Sequence, residues 1–107
     1  MDDTAARIAL AALAHDSRLK IVRALARAGD QGLTAGALAS ALEASPSATS
    51  FHLAKLAAAG LVGSERQARE ITYRLDFPAL GAVFGHLLED CCGGNAILRA
   101  CCVPPRP

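Results

Sequence analysis

The spacing of apolar residues divides the chain into short helices with one interruption of a different period. From Thr4 to His15, Ile8, Ala11 or Ala12, and His15 recur at helical spacing, which predicts a first helix. Asp16 is placed to cap a second helix, Ser17 to Ala28. Its Leu19, Val22 and Leu25 (or Ala26) form an inward stripe, while Arg18, Lys20, Arg23 and Arg27 face out. Gly29-Asp30-Gln31-Gly32 stops this helix, and Thr34 opens a short third one to Leu42, with Leu38 and Leu42 inward. After only Glu43-Ala44 comes the best-marked helix. Ser45 is a natural N-cap, and Pro46 stands at the first helical position, where its missing N–H costs nothing. Thr49, Leu53 and Leu56 make the buried stripe, and Gly60 supplies the left-handed residue that ends it. Residues 46–59 would span about 21 Å. Two helices joined by so short a turn, the second well capped, read as a helix-turn-helix.

The next stretch changes period. Leu61–Arg66 and Glu70–Leu75 read as two strands, with Ile71, Tyr73 and Leu75 alternating inward and Gln67-Ala68-Arg69 at the tip. A hairpin tipped with arginine, directly after a helix-turn-helix, is a wing. Phe77-Pro78 opens a last helix, Pro78 to about Cys92, whose broad apolar face is Leu80, Val83, Phe84, Leu87 and Leu88. Gly93-Gly94 breaks it, a short Asn95–Ala100 segment follows, and Pro104-Pro105-Arg106-Pro107 ends the chain. The fold class is therefore mainly α with a small β-hairpin wing, in one domain without internal repeats.

Composition agrees with thin, closely packed helices. The 107 residues are 52% apolar, and 24 of them are alanine and 15 leucine, whereas aromatics make up 4%. A β-sandwich would need more Val, Ile and aromatic residues. Low charge and high apolar content argue against disorder. No apolar run reaches the ~18 residues of a membrane span. The acidic start, Met1-Asp2-Asp3, lacks the basic-then-apolar order of a signal peptide. The protein is expected to stay in the cytoplasm. A domain this small buries a modest share of its surface, so a second copy is expected to complete it.

Net charge is only +1, but it is unevenly placed. Residues 16–75 hold eight Lys/Arg against five acids, while residues 1–15 and 76–107 each sum to −1. A basic middle is the footprint of a nucleic-acid partner, though solvated faces often carry such an excess. All four cysteines fall in the last seventeen residues, as the adjacent pairs Cys91-Cys92 and Cys101-Cys102. In a reducing compartment thiols serve chemistry more often than structural disulfides. No catalytic constellation stands out: neither Ser17 nor Ser50 has a triad partner nearby, and no Gly-rich phosphate loop occurs. An enzyme is not expected.

Several separated motifs resemble the ArsR/SmtB family: residues 12–21 (ALAHDSRLKI), 45–53 (SPSATSFHL), 59–62 (AGLV) and 71–75 (ITYRL), in the family's order and spacing. The resemblance covers about residues 5–90. It implies a dimeric winged-helix repressor that leaves DNA on binding metal ions or metalloids, with the first and last helices pairing across a two-fold axis. That pairing is expected to bury Leu80, Val83, Phe84, Leu87 and neighbours. The family's founding arsenic site, a Cys-Val-Cys run in the third helix, is replaced here by Thr34-Ala35-Gly36. Its zinc site at the last helix is not matched either. His86 and Glu89 are present without the Asp-x-His start, and His86 reads as a surface residue. The chain is similar to the arsenic-responsive subgroup that carries a Cys-Cys pair at the end of the last helix and a further Cys beyond. This implies no cofactor in the DNA-bound state and trivalent arsenic as inducer.

The thiols suit that inducer. Trivalent arsenic is soft and three-connected and prefers thiolate sulfur. Adjacent cysteines in a regular helix point about 100° apart, so one pair chelates poorly unless the backbone frays at Gly93-Gly94. Residues 93–100 can loop back at small closure cost. The expected site is Cys91, Cys92 and one of Cys101 or Cys102. A two-thiol site would instead take an organic arsenical with two exchangeable positions. Another thiophilic metal, a thiol–disulfide switch and a dimer that senses nothing are the alternatives; zinc prefers Cys-x-x-Cys spacing. On the DNA side the exposed face of the capped helix offers Ser47, Ala48, Ser50, Phe51 and Lys55 to a major groove. Arg66 and Arg69 of the wing, with Lys55, would neutralise phosphates. Phe51 competes with a core reading, and His52 either contacts a phosphate or packs. Residues 1–90 form the DNA-binding and dimerisation domain on this reading, and 91–107 a sensing tail.

Overall fold

Asp2 starts the first helix, α1 (Asp3–Leu13), by accepting the Ala5 N–H on its carboxylate at 2.7 Å. The chain is seen here in a computed structural model that describes residues 1–102, apart from the side chains of Cys91 and Cys102. The proline-rich end falls outside the described residues. α1 buries Ala6 and Ala9, whereas Ile8 is 52% exposed, so the expected Ile8 stripe is turned away from this chain's core. The methyl-sized side chains of Ala6 and Ala9 let α1 lie close against its neighbours.

Helix α2 (Asp16–Ala28) is capped by His15, not Asp16: the His15 Nδ1 accepts the Ser17 N–H at 3.1 Å. Asp16 becomes the first helical residue and pairs with Lys20 one turn on. The inward stripe is Ile21 and Leu25, with Val22 half-buried and Leu19 exposed. Two adjacent phases of the same periodicity were open, and packing against α3 and α4 selects the one carrying Ile21. Arg18, expected to face out, is half-buried.

A single 3-10 turn, Gly29–Gln31, leads into β1 (Leu33–Thr34), and Thr34 then caps α3 (Ala35–Leu42) by accepting the Ala37 N–H. α4 (Pro46–Ala58) follows with its expected Ser45 cap and Pro46 at the first position. The wing is β2 (Val62–Gln67) and β3 (Glu70–Leu75), joined by Ala68-Arg69. The sheet has three antiparallel strands in the order β1-β3-β2 where two were expected. Leu33 lies opposite Tyr73, and Val62 opposite Leu75. β1 is too short to show alternation. What seats it is Gly32, at φ 66, where a Cβ would come within 2.4 Å of the Tyr73 carbonyl oxygen.

Asp76 caps α5 (Phe77–Gly85). The last helix does not run on as α-helix to Cys92: His86–Cys91 is a widened π-helical turn, with the Cys92 N–H reaching back to the Leu87 carbonyl at 3.1 Å. Gly93 and Gly94 take positive φ, and Asn95 then caps α6 (Ala96–Cys102), its Oδ1 accepting from both Ile97 and Leu98 N–H at 3.0 Å. Residues 93–100, expected to loop back, thus hold the glycine turn, the Asn95 cap and most of a short helix. One core joins Ala9 of α1, Ile21 and Leu25 of α2, Leu38 of α3, Leu53 and Leu56 of α4, Leu75 of the wing and Val83 of α5. No helix among the described residues is long and apolar enough to cross a membrane.

Candidate nucleic-acid interface and thiol tail

α4 sorts its residues by side. Thr49, Leu53 and Leu56 are buried, and the Thr49 hydroxyl donates to the Ser45 carbonyl at 3.0 Å rather than remaining an orphan in the core. Ser47, Ala48, Ser50, Phe51 and Lys55 are all exposed. Phe51 is 56% exposed, which settles its core reading against it. The Lys55 ammonium stands 5.4 Å from the Phe51 ring centroid, so the cation and the aromatic face travel together. Arg66 and Arg69 are exposed on the wing, and Arg69 and Ser50 line one open groove with Thr34, Ala35 and Gly36. Arg74 is committed elsewhere, donating to the Asp30 carbonyl at 2.7 Å.

His52 is half-buried and serves packing and positioning. Arg18 donates from Nη1 to His52 Nδ1 at 3.2 Å and from Nε to the Ala12 carbonyl at the end of α1. Arginine has no acceptor, so this bond needs the His52 Nδ1 lone pair. The His15 ring lies 4.5 Å from the His52 ring, centroid to centroid. Burial, then the neighbouring His15 and Arg18, push the His52 pKa below its ordinary 6.5. Arg18 and His15 escaped sequence reasoning because their partners lie on other helices. The only hint was an arginine directly after the His15-Asp16-Ser17 corner.

In the tail, Cys92 and Cys101 are exposed free thiols. The side chains of Cys91 and Cys102 lie outside the described residues. Glu89 pairs with Arg99 across the Gly93-Gly94 turn, holding α6 against the end of the π-helical turn. Among the described residues no three His, Cys, Asp or Glu side chains come together as a metal-binding group.

His86 corrects the surface reading. It is 7% exposed, with Nε2 2.7 Å from Asp3 Oδ1 and Nδ1 3.4 Å from Asp90 Oδ2. The surface reading rested on the missing partners of a zinc site. The wider turn and the first turn of α1 cover it instead.

Helices α3 and α4 at a short turn, followed by the β2–β3 wing to which β1 adds a third strand, define a winged helix-turn-helix. A helix-turn-helix domain model matches residues 13–65. Over 83 residues the chain is 37% identical to the HTH-type transcriptional regulator YgaV of Escherichia coli (strain K12), 78% of this chain and 82% of that protein. Identity to the transcriptional activator HlyU of Vibrio cholerae is 37% over 88 residues, 82% of this chain and 79% of that one. Among solved structures, an ArsR-like transcriptional regulator from Rhodococcus sp. RHA1 superposes with a TM-score of 0.73 at 31% identity, covering 91% of this chain and 89% of the other. The antimony-specific transcriptional repressor AntR superposes at 0.61 and 32% identity, covering 82% and 79%. A homodimeric winged-helix domain from Mycobacterium bovis superposes at 0.62 and 26% identity, covering 84% and 93%. This chain belongs to the ArsR family of winged-helix transcriptional regulators. Its relatives are regulators, not enzymes.

Proposed function

We propose that this regulator is a dimeric, cytoplasmic repressor that releases operator DNA when trivalent arsenic is captured by its C-terminal thiolates. The observation that carries this reading is the pair of exposed thiols, Cys92 and Cys101, on either side of the Gly93-Gly94 turn that follows the π-helical turn after α5. Arsenite, As(OH)₃, exchanges three hydroxyls for three thiolates. Each As–S bond forms as a thiol proton leaves with a hydroxyl as water, so no oxidant is needed. Cys91, Cys92 and one of Cys101 or Cys102 are the ligand set, in a tail of residues 91–107 appended to a DNA-binding and dimerisation domain of residues 1–90. The likeness to AntR, an antimony-specific transcriptional repressor, supports a soft metalloid. HlyU of Vibrio cholerae is a transcriptional activator, whereas repression is the direction proposed for this chain.

On DNA, two copies of α4 enter successive major grooves about 34 Å apart. Ser47, Ala48, Ser50 and Phe51 face base edges, and Lys55, Arg66 and Arg69 neutralise phosphates. His52 holds α4 in place from behind.

The test uses an operator duplex selected by the protein from a random-sequence pool, with and without arsenite. The wild type is expected to lose affinity 5–150-fold, the range of a coupling of about 1–3 kcal/mol, and Cys91→Ser to keep its grip. Unchanged wild-type binding sinks arsenic sensing, and release by both proteins sinks the ligand set. Release by peroxide alone, reversed by dithiothreitol, would point to a disulfide switch instead. Normal binding by both Phe51→Ala and Lys55→Ala would refute the readout face.

A further inference from the structure

α1 packs against both α4, the recognition helix, and α5, whose far end leads into the thiol tail. It is an eleven-residue helix, about 16 Å long. Each of its ends is held by one side chain of the opposite charge to the helix dipole there. At the N-terminal end, Asp3 bonds the buried His86 at 2.7 Å, in the π-helical turn that finishes at Cys91. At the C-terminal end, the Arg18 guanidinium takes the Ala12 carbonyl and, with its other arm, His52 of α4. These contacts join residues 83 and 34 positions apart in sequence.

We propose that α1 is the connecting rod between the thiol tail and the recognition helix, with Asp3 and Arg18 as its positioning residues. The inference rests on the tail being the sensor. Its mechanism begins in the π-helical turn, whose i→i−5 closure (Cys92 N–H to the Leu87 carbonyl) differs by one residue from α-helical register. Capture of a ligand by Cys91 and Cys92 pulls on that turn. Resetting its register rotates His86, one turn back from the thiols. His86 is enclosed and hydrogen-bonded, so it cannot move without carrying Asp3. A helix transmits displacement along its axis because its backbone bonds are all internal, and the Ala12 carbonyl moves against Arg18. The fork of Arg18 then cannot hold both Ala12 and His52 in place, and α4 shifts relative to its twin on the operator. Three contacts, Asp3 to His86 and Arg18 to both the Ala12 carbonyl and His52, and one helix thus carry the coupling.

The test compares the full-length wild type with Asp3→Ala, a residue outside both the DNA face and the thiols. Asp3→Ala is expected to bind the selected operator within about twofold of wild type and to titrate arsenite with the same stoichiometry, read by near-ultraviolet thiolate–arsenic absorbance. It is expected to lose most of the 5–150-fold arsenite response. A response equal to wild type overturns the rod while leaving arsenic sensing intact. A second arm needs no inducer. The His52 imidazole resonances of the free protein should shift in Asp3→Ala, although Asp3 and His52 share no contact. Unshifted resonances overturn the link whether or not arsenite releases DNA, so failure of the rod and failure of the sensing reading are told apart.

Discussion

A single nitrogen decides much of how α4 is held. His52 accepts from Arg18 at Nδ1, and that bond exists only while the nitrogen is unprotonated. Burial, then His15 and Arg18, lower its pKa in the folded state below 6.5. The unfolded chain therefore binds more protons between the two pKa values, and folding stability falls as pH drops through that window. The contribution is complete above about 6.5 and is lost below it. His52→Gln keeps an acceptor and does not titrate. Between pH 7.5 and 5.5 the wild-type melting temperature should fall further than that of His52→Gln; equal falls would remove His52 from the pH response. Sequence marked the exposed side of α4 correctly, because Phe51 sits opposite Leu53 and Leu56 on a period of 3.6. It left His52 open, since helical phase places a residue at a boundary without saying which neighbour fills it.

Helix ends were legible wherever a cap residue is read by its own next turn, as at Ser45 and Gly60. They were misread where a tertiary contact overrides the local signal. Asp16 could have capped α2, but His15 does so while its ring packs on His52. The same limit hid the π-helical turn, whose amino acids suit an α-helix equally well. α6 carries its signal openly in Asn95, and its placement depends on Gly94. Gly94 has φ 67, and a Cβ there would lie 2.9 Å from Glu89 Oε2, the carboxylate that pairs with Arg99. Gly94→Ala therefore adds about 1–2 kcal/mol of left-handed strain to the turn and disturbs that ion pair. Amide exchange at Arg99 and Ala100 should quicken about 5–30-fold, the factor that this energy corresponds to, while the melting temperature of the core stays put. Unchanged exchange would mean that α6 is held by something other than this turn.

For the whole molecule, the surface itself argues for a second copy. A compact monomer of 11.0 kDa exposes about 5,600 Å² and has a radius of gyration near 13 Å, whereas this chain exposes 6990 Å² with a radius of 15.2 Å. The excess is of the size that one partner hides in a stable interface, about 800 Å² or more. Among the described residues, four of the eight large apolar side chains left exposed lie on the two elements named from sequence for dimerisation: Ile8 (52%) and Leu10 of α1, and Phe77 (44%) and Phe84 (54%) of α5. The others are Met1, Leu19 of α2, Phe51 of α4 and Ile97 of α6. The periodicity of α1 and α5 was visible in the sequence. The expected interface set mixes two stripes, because an inward stripe and an interface stripe have the same spacing. Val83 is buried in this chain's own core with Leu80 and Leu87 packed against it, while Phe84 is exposed. A glutamate placed in such a face must be desolvated without a partner when two copies meet, at a cost that a marginal dimer cannot absorb. Ile8→Glu combined with Phe84→Glu should sediment as an 11.0 kDa monomer, with its helical content kept because both residues are exposed. Operator affinity should collapse with it. One copy of α4 reaches only a half-site, and each lost set of phosphate contacts also flattens the salt dependence of binding. A variant that still sediments as a dimer would move the interface elsewhere. A monomer that binds the operator as tightly as wild type, with the same salt slope, would separate dimerisation from DNA recognition altogether.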